Sequence, residues 1–209
     1  MPYIVAIDGN IGCGKTSVLK KLATMGYTTE PENVTEWHDA LKGFYTEPAR
    51  WSFLLQCRIL ADMAQQYARM KQSTNTIVFV ERSPSSALVF VRNSVDSHHL
   101  TPCEKESYDR LHALLAWKPD LTIYINTPVE MCATRIEERD RTSERSMSTE
   151  YLSKIEHLYH NSDLYTHVID GTLSTEILAV LAVKKATAYM PTNYAFINRI
   201  ITTITSWKR

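Results

Sequence analysis

The sequence predicts an α/β domain: a five-stranded parallel sheet covered by helices on both faces. Three observations carry this. Short apolar runs rich in Val, Ile and Tyr alternate with longer helical patterns along the whole chain, which is the β–α rhythm of parallel sheets. Those runs lack strict apolar–polar alternation, as strands buried on both sides do. The stretch GNIGCGKT, Gly9 to Thr16, lies between the first such run and the first helical pattern and fits G-x-x-x-x-G-K-[ST], a phosphate-binding loop when flanked in this way.

In chain order, YIVAI (3–7) is the first strand and GYTTE (26–30) a weaker second. TIVFV (76–80), LTIYI (121–125) and THVI (166–169) complete the sheet. Helix starts are marked by Ser83–Pro84, Thr101–Pro102 and Thr127–Pro128, each an N-cap residue before proline at the first helical position. Thr101–Glu104 and Thr127–Glu130 also have capping-box spacing. A long helix is expected from Pro48 to Lys71, with Trp51, Leu54, Leu55, Ile59 and Met63 at apolar positions. No repeat, low-complexity tract or linker divides the 209 residues, a length that suits one domain. Ligands of such sheets bind at the carboxyl ends of the strands.

Composition narrows the function. Hydrophobic residues make up 44% and charged residues 22%, with a formal net charge of zero. That suits a soluble globular protein and argues against a partner such as a nucleic-acid polymer held by bulk charge. No apolar run is long enough to span a membrane. The first strand is expected to begin at Tyr3, so no leader peptide is expected within this sequence. The four cysteines, Cys13, Cys57, Cys103 and Cys132, form no C-x-x-C or zinc spacing. They read as reduced thiols of a cytoplasmic protein, with Cys13, inside the loop, a candidate for thiol reagents.

The loop states its own chemistry. Gly9, Gly12 and Gly14 let backbone N–H groups turn inward around phosphate oxygens, and the helix start adds partial positive charge. Lys15 supplies a point charge for the β- and γ-phosphates, and the Thr16 hydroxyl is a ligand for Mg²⁺. The ATP-binding set is therefore Gly9, Asn10, Ile11, Gly12, Cys13, Gly14, Lys15, Thr16 and Ser17. The D-x-x-G and N-K-x-D motifs of a GTPase switch are missing from the sequence. A kinase of small molecules leads, and a non-catalytic nucleotide-binding switch is the alternative of another class.

Four further stretches follow the loop in order: PENVTEW, YTEPARWSFLLQ, ERSPSSA and RIEERDRTSERSMSTEYL. Together with the loop they resemble the deoxynucleoside kinase family, which holds deoxycytidine, deoxyguanosine and mitochondrial thymidine kinases and an insect multisubstrate enzyme. The resemblance covers about residues 3–170. It implies transfer of the γ-phosphate of ATP, with Mg²⁺, to the 5′-hydroxyl of a deoxynucleoside. It also implies a homodimer, for which the apolar surfaces of helices 48–71 and 103–117 leave room.

A sugar hydroxyl needs a carboxylate to take its proton. TEPENVTEW, Thr29 to Trp37, offers Glu30, Glu32 and Glu36. The family places its base five residues before a tryptophan in E-P-x-x-x-W, which selects Glu32 ahead of Trp37. The proline follows Glu30 instead, and Asn33 stands after Glu32, so Glu32 is favoured with Glu30 left open. All three glutamates would be surface charges on the bland reading, which suits Glu36 best. Trp37 then lines the nucleoside pocket or serves as a core anchor. Tyr45 is assigned to the sugar 3′-hydroxyl, and Gln56, with one acceptor and paired donors, to a pyrimidine edge. In ERS, Arg82 is placed at the 5′-oxygen and the transferring phosphate, and Glu81 at Mg²⁺.

The resemblance also implies an arginine-rich lid, about residues 139–147, with Arg139 and Arg141 on the ATP phosphates and Glu144 as a second contact to the 3′-hydroxyl. Alternating charges also mark a solvated helix face, a reading that fits Arg145 strongly and Arg135 moderately. Ser143 replaces the acidic residue usual before Glu144. Met63 and Ala87 occupy positions where deoxycytidine kinase has an arginine and an aspartate. An uncharged pair leaves space for a thymine methyl, so thymidine is the leading acceptor, with deoxycytidine next. The family's base-stacking phenylalanine aligns with Val91, one residue after Phe90, and a residue is 100° of helix rotation. Either Phe90 or Val91 meets the base. Residues from about Ala186 to Arg209 are read as a C-terminal extension. A thymidylate kinase is the rival enzyme and would need cations at the acceptor phosphate.

Overall fold

Strand β1, Tyr3–Gly9, is buried from end to end, so each of its two faces must meet apolar cover. In the computed structural model, which describes residues 1–139 and 147–192, the cover comes from two helical layers. Tyr3, Val5 and Ile7 join a cluster with Val18, Leu19 and Leu22 of α1 (Lys15–Thr24) and Leu178, Ala179 and Ala182 of α8 (Thr175–Tyr189). Ile4 and Ala6 point the other way, toward Met70 of α3 (Pro48–Lys71) and Trp117. This two-sided burial is why the strand shows no polar alternation.

The other strands are β2 (Thr28–Glu30), β3 (Ile77–Glu81), β4 (Leu121–Asn126) and β5 (His167–Asp170). All pair in parallel, in the order β2-β3-β1-β4-β5. Each lies where the sequence places it, within a few residues. Connections leave β1 toward β2 on one side and return to β4 on the other. That reversal opens a crevice at the carboxyl ends of β1 and β3, where the glycine loop and the ERS stretch emerge.

The second layer holds α3, α4 (Pro84–Asp96) and α7 (Thr149–His160), with α2 (His38–Thr46) and α5 (Pro102–Leu115) packed outside α3. The Ser83 and Thr101 caps form as capping boxes, each with proline in the first turn. The cap expected at Thr127 does not. Helix α6 runs Val129–Arg139, and the Thr127 hydroxyl instead donates to the Cys13 carbonyl at 3.1 Å. The side chain that would cap the helix anchors the glycine loop.

Ala186, where the C-terminal extension was placed to begin, is buried inside α8. The later extension residues from 193, and Arg141, Ser143, Glu144 and Arg145 of the expected lid, lie outside the described residues. All four cysteines are free. No helix among the described residues is long and apolar enough to cross a membrane.

Candidate active site

The glycine loop wraps the end of β1 as its composition dictates. Gly12 has φ +79°, and a Cβ there would lie 2.5 Å from the Cys132 carbonyl oxygen, so only glycine fits. Asn10 ties the loop to α7 by donating to the Leu152 carbonyl at 2.9 Å. The Lys15 ammonium folds back on the loop, 2.8 Å from the Asn10 carbonyl and 3.3 Å from that of Gly9. Cys13 is fully buried beneath it, so the expected access of thiol reagents is not seen in this structure. The Thr16 hydroxyl donates to both Glu81 oxygens, at 3.0 and 3.1 Å.

A cleft of about 700 Å³ runs from this loop to the space between α2, α3 and α4. It brings together Ile11 to Ser17 of the loop with Glu32, Trp37, Tyr45, Gln56, Met63, Glu81, Arg82, Ala87, Phe90 and Arg139. Gly9 and Asn10, expected in the ATP-binding set, do not line it; their carbonyls accept from Lys15 behind it.

Of the three glutamates, Glu32 alone lines the cleft. The Gln66 amide donates to the Glu30 and Pro31 carbonyls, both at 3.3 Å, and pins the turn after β2. Before that turn, the Glu30 carboxylate points out to Arg69 at 3.4 Å. After it, Glu32 points in and meets Arg82 Nε at 3.3 Å. Burial raises the Glu32 pKa; Arg82 and Lys15 oppose that, while Glu81 and Asp8 add to it. About one fifth of the side chain stays accessible from the cleft, enough for contact with a small ligand.

Arg82 is the hub. Its backbone is left-handed, φ +66°, a conformation costing a non-glycine residue roughly 1–2 kcal/mol. Its Nη1 reaches the Tyr159 hydroxyl at 2.7 Å, the Gly9 carbonyl at 3.2 Å and Asp8 at 3.4 Å. Burial alone would lower its pKa, but Tyr159, Glu32, Asp8 and Glu81 reverse that and keep the guanidinium charged.

Phe90 and Val91 part company as one residue of helix rotation requires. The Phe90 ring lines the cleft, with the Arg82 guanidinium 4.7 Å from its centroid. Val91 packs with Leu60, Leu100 and Tyr108. Trp37 is buried against Ala40, Phe44 and Leu55 and also lines the cleft. Gln56 is buried, and its Oε1 has no hydrogen-bond partner among the described residues. Met63 and Ala87 are likewise buried and leave this end uncharged.

Three contributors escaped the sequence. Arg135, which the sequence suggested was a solvated charge, donates to the Cys13 carbonyl at 3.1 Å and the Gly171 carbonyl at 3.4 Å. It closes the loop end of the cleft beside Leu173, Thr175 and Leu178. Asp8 and Tyr159 lie behind Arg82. Asp8 carried a weak signal, as an acid in an otherwise apolar strand; Tyr159 carried none.

Comparison with known proteins shows the family of the chain. Residues 5–204 match the family model for deoxynucleoside kinase, which reaches past the 3–170 stretch of the sequence resemblance. The chain is 29% identical over 184 residues to the "Putative deoxynucleoside kinase" of Frog virus 3, covering 88% of this chain and 93% of that one. It is 26% identical over 164 residues to the deoxyadenosine/deoxycytidine kinase of Bacillus subtilis, covering 76% and 75%. The solved structure of deoxyadenosine kinase from M. mycoides, with dCMP and dCDP bound, shares the fold with a TM-score of 0.78 at 20% identity. The match covers 88% of this chain and 99% of that one.

Proposed function

This chain belongs to the deoxynucleoside kinase family, and within it we propose transfer of the γ-phosphate of ATP to the 5′-hydroxyl of thymidine, with deoxycytidine a second acceptor. The observation that carries the reading is the Glu32–Arg82 pair, 3.3 Å apart, in the same cleft as Lys15, Thr16 and Glu81.

Glu32 takes the proton of the 5′-hydroxyl. Its raised pKa makes it a stronger base than an exposed carboxylate. Arg82 holds Glu32 in place and, with Lys15, balances charge on the phosphoryl group in flight. Lys15 exchanges its loop carbonyls for phosphate oxygens when ATP enters. Arg139 faces the same end of the cleft. Thr16 and Glu81 present adjacent hard oxygen donors, a set that fits Mg²⁺ held by one carboxylate, a hydroxyl and substrate phosphates. When bound, the ion neutralises charge on the β- and γ-oxygens.

At the nucleoside end, the lone Gln56 Oε1 is an acceptor waiting for a donor. Tyr45 and Trp37 enclose the sugar, and Phe90 the base. The thymidine preference rests on Met63 and Ala87, which put no charge against the base. An incoming nucleoside monophosphate would meet the Glu32 and Glu81 carboxylates beside Arg82, whose charge they already offset, so a nucleoside is favoured over dTMP. A homodimer through α3 and α5 belongs to the same reading, since Leu54, Leu114 and Leu115 are exposed there.

The test is ATP–Mg²⁺ with thymidine, deoxycytidine, deoxyadenosine, deoxyguanosine and dTMP, read as phosphorylated product. Thymidine is expected to turn over fastest. Failure of all four nucleosides sinks the reading, and faster phosphorylation of dTMP replaces it with a thymidylate kinase.

A further inference from the structure

Asp8 is the one acidic residue of β1, and it is almost wholly buried. Tyr159 is fully buried near the end of α7, and the two meet although 151 residues separate them. The Tyr159 hydroxyl donates to Asp8 Oδ1 at 2.8 Å and accepts from Arg82 Nη1 at 2.7 Å. Asp8 Oδ1 also accepts the Gly9 N–H at 2.8 Å. The three side chains therefore form a closed set behind the cleft: Asp8–Tyr159, Tyr159–Arg82 and Arg82–Asp8. None of the roles above uses Asp8 or Tyr159.

We infer that Asp8 and Tyr159 are positioning residues that aim the Arg82 guanidinium at the reacting phosphate and fix its partner Glu32. Three features argue that this set does more than satisfy a buried cation. Arg82 stands on a left-handed backbone, a strained state that persists where surrounding contacts over-determine it. Asp8 and Tyr159 hold Nη1, so Nε faces Glu32 rather than turning away. Helix α7 braces both halves of the site, the loop through Leu152 and the arginine through Tyr159. A movement of α7 would reach both together.

The charges make the idea testable. Around Glu32 stand Arg82, Glu81, Lys15 and Asp8. Asp8 supplies one of the two nearby negative charges that oppose ionisation of Glu32. Tyr151, which also lines the cleft near Arg82, is kept neutral by burial. Replacing Asp8 by asparagine keeps a hydrogen-bond acceptor but removes its charge.

The inference rests on the kinase reading, so Glu32→Gln is measured beside Tyr159→Phe and Asp8→Asn. Tyr159→Phe removes one hydroxyl and leaves the ring against Tyr124. It is expected to lower kcat about ten- to hundredfold, the effect of a lost bond to a charged group. KM for ATP and nucleoside should stay within about threefold, because the loss falls on the transition state. Asp8→Asn, which keeps an acceptor but removes a charge near Glu32, is expected to lower kcat by a similar factor with KM likewise held and to move the acid limb of the kcat/KM profile to lower pH. A Tyr159→Phe or Asp8→Asn enzyme with kcat within twofold of the parent overturns the positioning role. If Glu32→Gln works at the parent rate, the base assignment fails and the positioning role with it. If it is dead while Tyr159→Phe is fully active, the positioning role alone fails.

Discussion

A buried carboxylate beside a buried arginine is costly unless it has work to do. Glu32 and Arg82 form such a pair, and their substitution separates catalysis from stability. Glu32→Gln is expected to lose about 10²–10⁴-fold in turnover, while Glu30→Gln, whose carboxylate faces Arg69 outside the cleft, keeps nearly the parent rate. Steady-state assays of both variants decide it, and the reverse order would move the base to Glu30. Stability should change in the opposite sense. Burial raises the Glu32 pKa in the folded chain above its ordinary value of 4.5. Its contribution is thus fully present below the unfolded pKa and is lost as pH rises through the folded pKa. Glu32→Gln escapes that loss, so it should melt higher than the parent at neutral pH, with the difference shrinking below pH 4.5. A melting series in which the gap grows toward acid would contradict the burial argument.

Helix α4 shows how an element converts spacing into role. Its start is legible, because Ser83 and Pro84 fix where it begins. Its rotation is not. Whether Phe90 or Val91 meets the ligand depends on how Val91 seats against Leu60 and Tyr108, residues of two other helices. Phe90→Ala should raise the nucleoside KM about three- to tenfold, the equivalent of about 0.5–1.5 kcal/mol of ring contact, with little change in melting temperature. Val91→Ala should do the opposite. A buried valine truncated to alanine costs about 2 kcal/mol of stability, with KM nearly unchanged. Kinetics and thermal melting of the pair read both effects. The β2–α2 connection behaves similarly: the motif places three glutamates near the loop, but Gln66 on α3 decides which one enters the cleft.

For the whole molecule, the cleft spans the two layers and the sheet end, so ligands should stabilise the domain as a unit. ATP–Mg²⁺ or thymidine at about a hundredfold above Kd should add about 2.7 kcal/mol, a rise in Tm of about 5–10 °C for a chain of this size. Differential scanning fluorimetry with each ligand checks this. A nucleoside that raises Tm without being phosphorylated would be a bound inhibitor rather than a substrate.

Local chemistry, which is written in neighbouring residues, was settled by the sequence alone. Five apolar runs, proline-marked helix starts and an eight-residue glycine loop fixed the parallel sheet and the loop at the end of its first strand, because propensity, capping and backbone freedom act over a few residues. Tertiary packing decided the rest. Glu32 over Glu30, Phe90 over Val91, Arg135 turned inward and Tyr159 behind Arg82 all depend on contacts between residues far apart in the chain. One turn or a 100° rotation exchanges a cleft position for a core or surface one, and only the assembled core, which admits one close packing, chooses between them.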